Sequence, residues 1–508
     1  MSRISADVSG IWTCPVCIFP LLSVRRRSAA ITRIQGQSGR RHAPNDTRRP
    51  TRRCEKFHSE RPVLPFHRPG RPDNVLDRSI GHRVPIDGYV PVSLARGPMQ
   101  TPESIFSGLK VVDFASYIAG PAATTILSDF GATVIKVEPP GTGDPYRHFY
   151  AIPPNPISEH NYAWQLTNRN KRGLALDLKS PAARDIVTRL AQWADVIVVN
   201  FPPKIKEKLG LTYEALAPLN ERLVYADLTG YGTKGPEADK PGFDITAYWA
   251  RTGLMQVTRD GDSPPTLPVP GIGDHATAST LYSAIVTGLY RREKTGKGSH
   301  VSTSLIAEGA WAAAAWIEGG LNGARYRERQ GRKSPPNALL NPYRTADDRW
   351  LLVVLPASKD WPLLVNAMQL PALLDDPRFA NEAARAENAA ALVAILDEAF
   401  ARQPLEYWKK TFDAGRVIYG VVQIADEIIN DRQMYENDIF VPLAEPTGSA
   451  THTVNSPVQV AGVQKVSPGP APQLGEHSDS VLADLGYGAD EIARLLAEGV
   501  VSKHGTRA

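Results

Sequence analysis

Short apolar runs alternate with amphipathic stretches from about residue 109 onward. Leu109–Phe114 (LKVVDF) and Asp195–Val199 (DVIVV) are nearly unbroken apolar segments, the pattern of strands buried on both faces. Thr133–Val137, Gly173–Leu178 and Leu223–Leu228 read as further strands. Pro121–Phe130 reads as a helix between the first two strands. A Ser180 cap with Pro181 at the first position predicts another helix, running to about Ala194. Strands that alternate with helices imply a parallel sheet with both faces covered. The expected fold class is α/β, built on a large Rossmann-like, doubly wound parallel-sheet domain.

The pattern then lengthens. A helix over about His275–Glu293 would bury Leu281, Ala284, Ile285, Gly288 and Leu289, with Arg291, Arg292 and Lys294 opposing its dipole at the C-terminal end. A strand, His300–Ser304, and a small-residue helix, Ile306–Leu321, follow. Residues 99–322 thus form the N-terminal part of the large domain. Polar residues 323–340, with Pro335 and Pro336, read as a linker into a small inserted α/β domain, 341–430. That domain holds the strand Trp350–Leu355 and the helix Ala389–Phe400. Residues 431–472, Pro-rich from Ser456, read as the returning linker, and 473–508 as the return to the large domain.

Charge changes the picture at one end only. Residues 1–98 hold 17 Arg and 1 Lys against 7 acids, whereas 40 basic and 46 acidic residues follow. The chain's net +5 therefore describes a basic leader and gives no support to nucleic-acid binding by the body. Without sustained periodicity, 1–98 is expected to be disordered and to precede a natural start at Met99. All three cysteines, Cys14, Cys17 and Cys54, lie there. Disulfides, thiolate catalysis and cysteine–zinc sites are thus excluded from the body. No apolar run approaches the ~20 residues of a membrane helix. The expectation is a soluble, cytoplasmic protein with neither a membrane nor a nucleic-acid partner and no metal.

The turn after the first strand, Ala115-Ser-Tyr-Ile-Ala-Gly120-Pro121, lacks the GxGxxG of a dinucleotide site. The stretch richest in chemistry is Pro270-Gly-Ile-Gly-Asp274-His. Glycines lead into a carboxylate where a helix begins. On local sequence alone, Asp274 reads first as a simple helix cap.

Its company decides the matter. Leu109-Lys-Val-Val-Asp-Phe, Ala119-Gly-Pro-Ala, Gly131-Ala-Thr-Val-Ile-Lys-Val-Glu138 and Gly143-Asp144 occur in order. Asn170-Lys-Arg-Gly-Leu-Ala-Leu-Asp-Leu-Lys179, Val199-Asn-Phe201, Gly230-Tyr-Gly232, Pro241-Gly-Phe-Asp244 and Gly273-Asp274 follow, then Lys294-Thr-Gly-Lys-Gly298 and Leu474-Gly-Glu-His477. Over roughly 107–503 the chain resembles the class III CoA-transferases, the family of formyl-CoA and carnitine CoA-transferases. That resemblance implies an enzyme moving CoA between carboxylic acids, with Asp274 as nucleophile and mixed-anhydride and aspartyl-CoA intermediates. By position it implies CoA contacts at Ile118, Ala119, Leu176, Lys179, Asn200, Phe201, Pro202, Lys208 and Lys240. Coenzyme A and acyl-CoA enter as substrates, with no permanently bound cofactor. The resemblance further implies an interlocked homodimer.

Two rivals share the fold. A 2-methylacyl-CoA racemase needs a second acid/base group, which relatives supply from a Gly-His-Asp motif; here that motif reads Gly242-Phe243-Asp244. A non-catalytic acyl-CoA-binding protein would be signalled by loss of the aspartate. The glycine-rich loop of formyl-CoA transferases is replaced by Ser334-Pro-Pro-Asn-Ala-Leu-Leu-Asn-Pro-Tyr343, which disfavours an oxalate/formate pair. Trp249, Met255, Trp311 and Trp316 are candidates for an acyl pocket or for ordinary core packing.

Overall fold

The computed structural model describes residues 104–355 and 358–505; the leader 1–98, with Met99 and the three cysteines, lies outside them. Within the described residues the chain is mixed α/β around a seven-stranded sheet. Its strands are β1 (Lys110–Asp113), β2 (Thr133–Glu138), β3 (Lys171–Leu176), β4 (Val196–Val199), β5 (Val224–Thr229) and β6 (Ser299–Ser304), with the short C-terminal Val501–Ser502 at one edge. The order runs Val501–Ser502, β3, β2, β1, β4, β5, β6. All neighbours pair parallel except Val501–Ser502, which lies antiparallel to β3.

Period-2 alternation explains the two cores. Val112, Ile135, Leu174, Ile197, Val199 and Tyr225 point to one face. There they pack under helix Ala183–Trp193 and the tail helices Ser478–Asp484 and Ala489–Ala497. Val111, Val134, Val196, Val198, Val224 and Ala226 point to the other face, under helices Ala119–Asp129 and Ile272–Thr295. Both sets are buried, so the strands read as continuous apolar runs.

Three helices depart from the sequence expectation. Asp177 accepts the Lys179 N–H on its carboxylate (3.0 Å) and the Ser180 N–H on its carbonyl (3.0 Å). This Asx turn holds Ser180 and Pro181 outside the helix, which starts at Ala183 without a side-chain cap. The long helix begins at Ile272 rather than His275 and ends at Gly296, whose φ of 73° terminates it. The stretch Ile306–Leu321 is two helices, Leu305–Ala312 and Ala314–Leu321, broken at Ala313.

A third core lies around β7 (Leu340–Arg344), β8 (Trp350–Val354) and β9 (Tyr419–Val421), an antiparallel sheet. Helices Trp361–Ala367, Ala389–Phe400 and Leu405–Gly415 cover it through Leu364, Leu396, Phe400 and Phe412. The stretch 431–472 then carries helix Arg432–Glu436 and an antiparallel hairpin, β10 (Phe440–Thr447) and β11 (Ala450–Val454), turning at Gly448. It returns against the large sheet, where the Pro472 carbonyl accepts from Trp164 Nε1 (3.1 Å) and Arg147 (2.9 Å).

Candidate active site

Parallel strands deliver their following loops to one edge. Between β1 and β4 the chain order reverses direction across the sheet, which opens a crevice outside the strand C-termini. A cavity of about 550 Å³ lies there. Its walls come from Ser116–Ala119 after β1, Asn200–Pro202 after β4 and Leu228–Gly230 at the end of β5. The segments 145–149 and 238–245, and the first turn of helix Ile272–Thr295, complete it.

Asp274 lines this cavity from the third position of that helix. It does not cap the helix. The cap position is Gly271, at φ 98°, and the capping carboxylate comes from Asp244. Asp244, itself buried, accepts the Gly271 N–H at 2.5 Å and the Gly273 N–H at 3.1 Å. Gly273 is needed for this approach, since a Cβ there would fall 2.3 Å from Asp244 Oδ1 and 2.4 Å from Tyr248 Cγ. The simple-cap reading of Asp274 is thereby corrected: another aspartate occupies that role. Among the described residues the Asp274 carboxylate has no hydrogen-bond partner. Burial, with a smaller contribution from the Asp244 carboxylate, pushes its carboxyl up to about 7.

Buried ions brace the walls. Asp144 sits 3.0 Å from Lys136 Nζ, with both side chains essentially inaccessible. Its carboxylate also accepts the N–H of Tyr117 (3.1 and 3.2 Å) and of Tyr146 (3.0 Å). One carboxylate thus fixes two wall segments. Glu138 accepts the Asp144 N–H (2.9 Å) and pairs bidentately with Arg147 (2.7 and 2.8 Å). Asn200 Nδ2 donates to the Ser116 carbonyl (2.8 Å), while its Oδ1 accepts the Ser116 N–H (2.9 Å), tying β4 to the loop after β1. Burial raises the Tyr146 phenol well above its ordinary range, and the Asp274 charge adds to this.

Of the residues singled out in the sequence, Asp274, Ile118, Ala119, Asn200, Phe201, Pro202 and Lys240 converge on this cavity. Leu176, Lys179 and Lys208 are not among its walls. The Leu176 side chain packs in the core beneath the tail helices. Lys179 and Lys208 are exposed, Lys179 three residues past β3 and Lys208 near the end of helix Pro203–Leu209. Trp249, Met255, Trp311 and Trp316 are also absent from the walls. Trp249 packs around Tyr248, Trp316 stacks on Tyr326 at 4.3 Å, and Trp311 is 76% exposed. Phe243 offers no titratable atom, and His275 lines a different cavity from Asp274, beside Arg169. Sequence reasoning missed Lys136, Asp144 and Tyr117. The signal was a lysine inside the otherwise apolar run Val-Ile-Lys-Val, which demands an internal partner. No cluster of His, Cys, Asp and Glu able to hold a metal ion occurs among the described residues, and no helix there is long and apolar enough to cross a membrane.

Residues 106–478 match the family described as CoA-transferase family III. The chain is 31% identical over 407 residues to a cinnamoyl-CoA:phenyllactate CoA-transferase of Clostridium sporogenes, covering 78% of this chain and 97% of that protein. It is 31% identical to a succinyl-CoA:glutarate CoA-transferase of Mus musculus, covering 79% and 91%. A CAIB/BAIF family protein from Brucella suis superposes with a TM-score of 0.67 at 28% identity, covering 75% of this chain and all of that one.

Proposed function

The chain belongs to CoA-transferase family III and is an enzyme of that type, and from this premise we propose that Asp274 is the nucleophile that passes CoA from an acyl-CoA donor to a free carboxylate. The observation that carries the proposal is a carboxylate on a cavity wall with no hydrogen-bond partner, beside a helix start capped by a different aspartate. Such a carboxylate is under-solvated, and its raised carboxyl makes the anion a better nucleophile.

The steps balance without any co-reactant. Asp274 attacks the thioester carbonyl, the C–S bond breaks, and CoA thiolate leaves a mixed anhydride. The thiolate attacks the aspartyl carbonyl of that anhydride, giving aspartyl-CoA thioester and the free donor acid. The acceptor carboxylate attacks this thioester, thiolate leaves again, and its attack on the acceptor carbonyl yields the new acyl-CoA and restores Asp274. The Ile272 and Asp274 N–H groups, without backbone acceptors among the described residues, are available to the oxyanion of each tetrahedral intermediate. Ile118, Ala119, Asn200, Phe201, Pro202 and Lys240 are read as the contacts along CoA, with Lys208 near its phosphates and Lys179 in the segment that holds its nucleotide end. Leu176 has no side chain to offer here and would act through its backbone alone.

The same reading makes the protein a cytoplasmic homodimer with interlocked chains. In it, residues 99–322 and 473–508 form the large domain, 341–430 the small one, and 323–340 and 431–472 the connections. The exposed apolar surface on 311–326 supports a partner there: Trp311, Trp316, Leu321 and Tyr326 all remain open to solvent.

Hydroxylamine added during turnover should cleave both acyl intermediates and leave a hydroxamate on one peptide, the one containing Asp274, only when acyl-CoA is present. Asp274→Ala should give no label and no transfer. Transfer by that variant within about tenfold of the parent, ~1.4 kcal/mol of barrier, would overturn the assignment.

A further inference from the structure

Three large side chains line the cavity together with the helix turn that carries Asp274. The first is Tyr117, whose φ of 66° lies in the left-handed region that bulky residues rarely occupy. The surroundings enforce it. Asn200 clasps the Ser116 backbone from both sides, and the Tyr117 N–H is bound by the buried Asp144 carboxylate. A strained residue held this firmly marks a place where the side-chain direction matters. The result is a phenol ring that stands 38% exposed at the cavity, edge-on to Phe243 with centroids 5.6 Å apart and planes at 83°.

Phe243 is the second. It is 55% exposed, and it is bonded in sequence to Asp244, whose carboxylate grips Gly271 and Gly273. Its backbone therefore cannot drift relative to Asp274. Ile118, the third, approaches from the loop after β1: a Cβ on Gly271 would lie 3.0 Å from Ile118 Cδ1. All three line the cavity together with Asp274, and the stacked pair Tyr146 and Phe149 (centroids 5.3 Å apart) continues the apolar wall.

A nucleophile in this position meets only the carbonyl carbon of its substrate. The rings of Tyr117 and Phe243, on the same cavity wall, are the apolar surface offered to the body of the acyl group. Aromatic surface left open to water favours an apolar occupant. A second carboxylate pressed against the ring faces would lose hydration and gain at most a phenol hydroxyl of Tyr117 or Tyr146 in return. Lys240, the one Lys or Arg among the residues lining the cavity, pairs with Glu237 at 2.8 Å and is read above as a contact for CoA rather than for the acyl group.

Resting on the reading of Asp274 as nucleophile, we propose that Tyr117 and Phe243 form a clamp for the acyl body, next to the CoA contact at Ile118, and that it selects bulky apolar monocarboxylic acyl groups over short dicarboxylic ones. Phe243 and Tyr117 are its specificity-determining residues.

The test uses the full chain with four thioesters, phenylpropionyl-CoA, 4-methylpentanoyl-CoA, succinyl-CoA and glutaryl-CoA, each with the free acids of the set as acceptors. Product CoA esters are read by mass spectrometry. The apolar esters should exceed the dicarboxylic ones in kcat/KM by roughly tenfold or more, the scale on which an apolar pocket discriminates. Phe243→Ala should reduce that ratio, and Phe243→Leu should restore it for the branched ester more than for the aromatic one. Tyr117→Gly, which suits the observed φ, should keep or raise the melting temperature while also reducing the ratio. Equal or better use of succinyl-CoA overturns the clamp, yet leaves Asp274 as nucleophile if the hydroxamate still forms there. A Phe243→Ala variant that slows all four esters alike also overturns it, because the ring would then only shape the helix turn. Failure of every ester, with no hydroxamate on Asp274, overturns both readings.

Discussion

A carboxylate in the first turn of a helix ordinarily accepts a backbone N–H and titrates low. Asp274 does neither, because Asp244 reaches across from another segment and takes the N–H groups of Gly271 and Gly273. Burial then raises the Asp274 carboxyl, and the Asp244 charge adds to it. The nucleophile is the carboxylate, so kcat/KM should rise with pH and level off above about 7, as the proton leaves Asp274. Asp244→Asn removes a negative neighbour, so the rising limb should move to lower pH. The amide keeps an acceptor for one glycine N–H but turns a donor toward the other, which should cost about 1–2 kcal/mol of stability. A pH–rate profile of both proteins, with urea unfolding of each, checks this. An unshifted limb would remove Asp244 from the tuning of Asp274. Asp244 was visible in the sequence only as part of a motif. Its role depends on a contact across 27 residues or more, which local sequence does not reveal.

At the scale of elements, the site depends on how β2 is braced. Every β2 residue but Thr133 is buried, and Lys136 stands in the middle, inaccessible against Asp144. Asp144 in turn holds the loop after β1 and the turn Pro145–Ala151. Lys136→Met fits the space but leaves a buried carboxylate unpaired, at a cost of about 3–5 kcal/mol. Urea unfolding should show that loss, and the KM for acyl-CoA should rise as both wall segments loosen. A variant with parent stability and parent KM would show that the pair does not brace the cavity. The strands themselves were legible because both faces of a parallel sheet are apolar. The start of helix Ala183–Trp193 was not, because the Asx turn at Asp177 competed with the expected cap at Ser180 and prevailed.

Across the whole molecule, the third core around β7–β9 shares no residue with the two cores of the large sheet, although chain segments on both sides of it belong to that sheet. If two such chains are threaded through each other, neither can leave without opening, so dissociation and unfolding should coincide. Sedimentation over a dilution series, followed by activity, measures this. The expected result is a dimer down to nanomolar concentration. A folded, active monomer there would refute interlocking while leaving the chemistry of Asp274 untouched. In the sequence Trp311 and Trp316 are candidates for an acyl pocket or for core packing, since tryptophans suit either use. Tertiary structure gives Trp311 neither role: it is largely exposed and does not line the cavity that holds Asp274.

By itself the sequence determined the parallel α/β layering, the long helix near Asp274 and the ordered fragments that mark the family, because each is written in local periodicity or in contiguous residues. Tertiary structure alone decided which aspartate caps and which is left free, which of the nine proposed contacts share a cavity, and that Tyr117 is held at a positive φ against Phe243. Those outcomes turn on hydrogen bonds and van der Waals contacts between segments tens of residues apart. Their geometry is set by the packing of the sheet rather than by any neighbour in the chain.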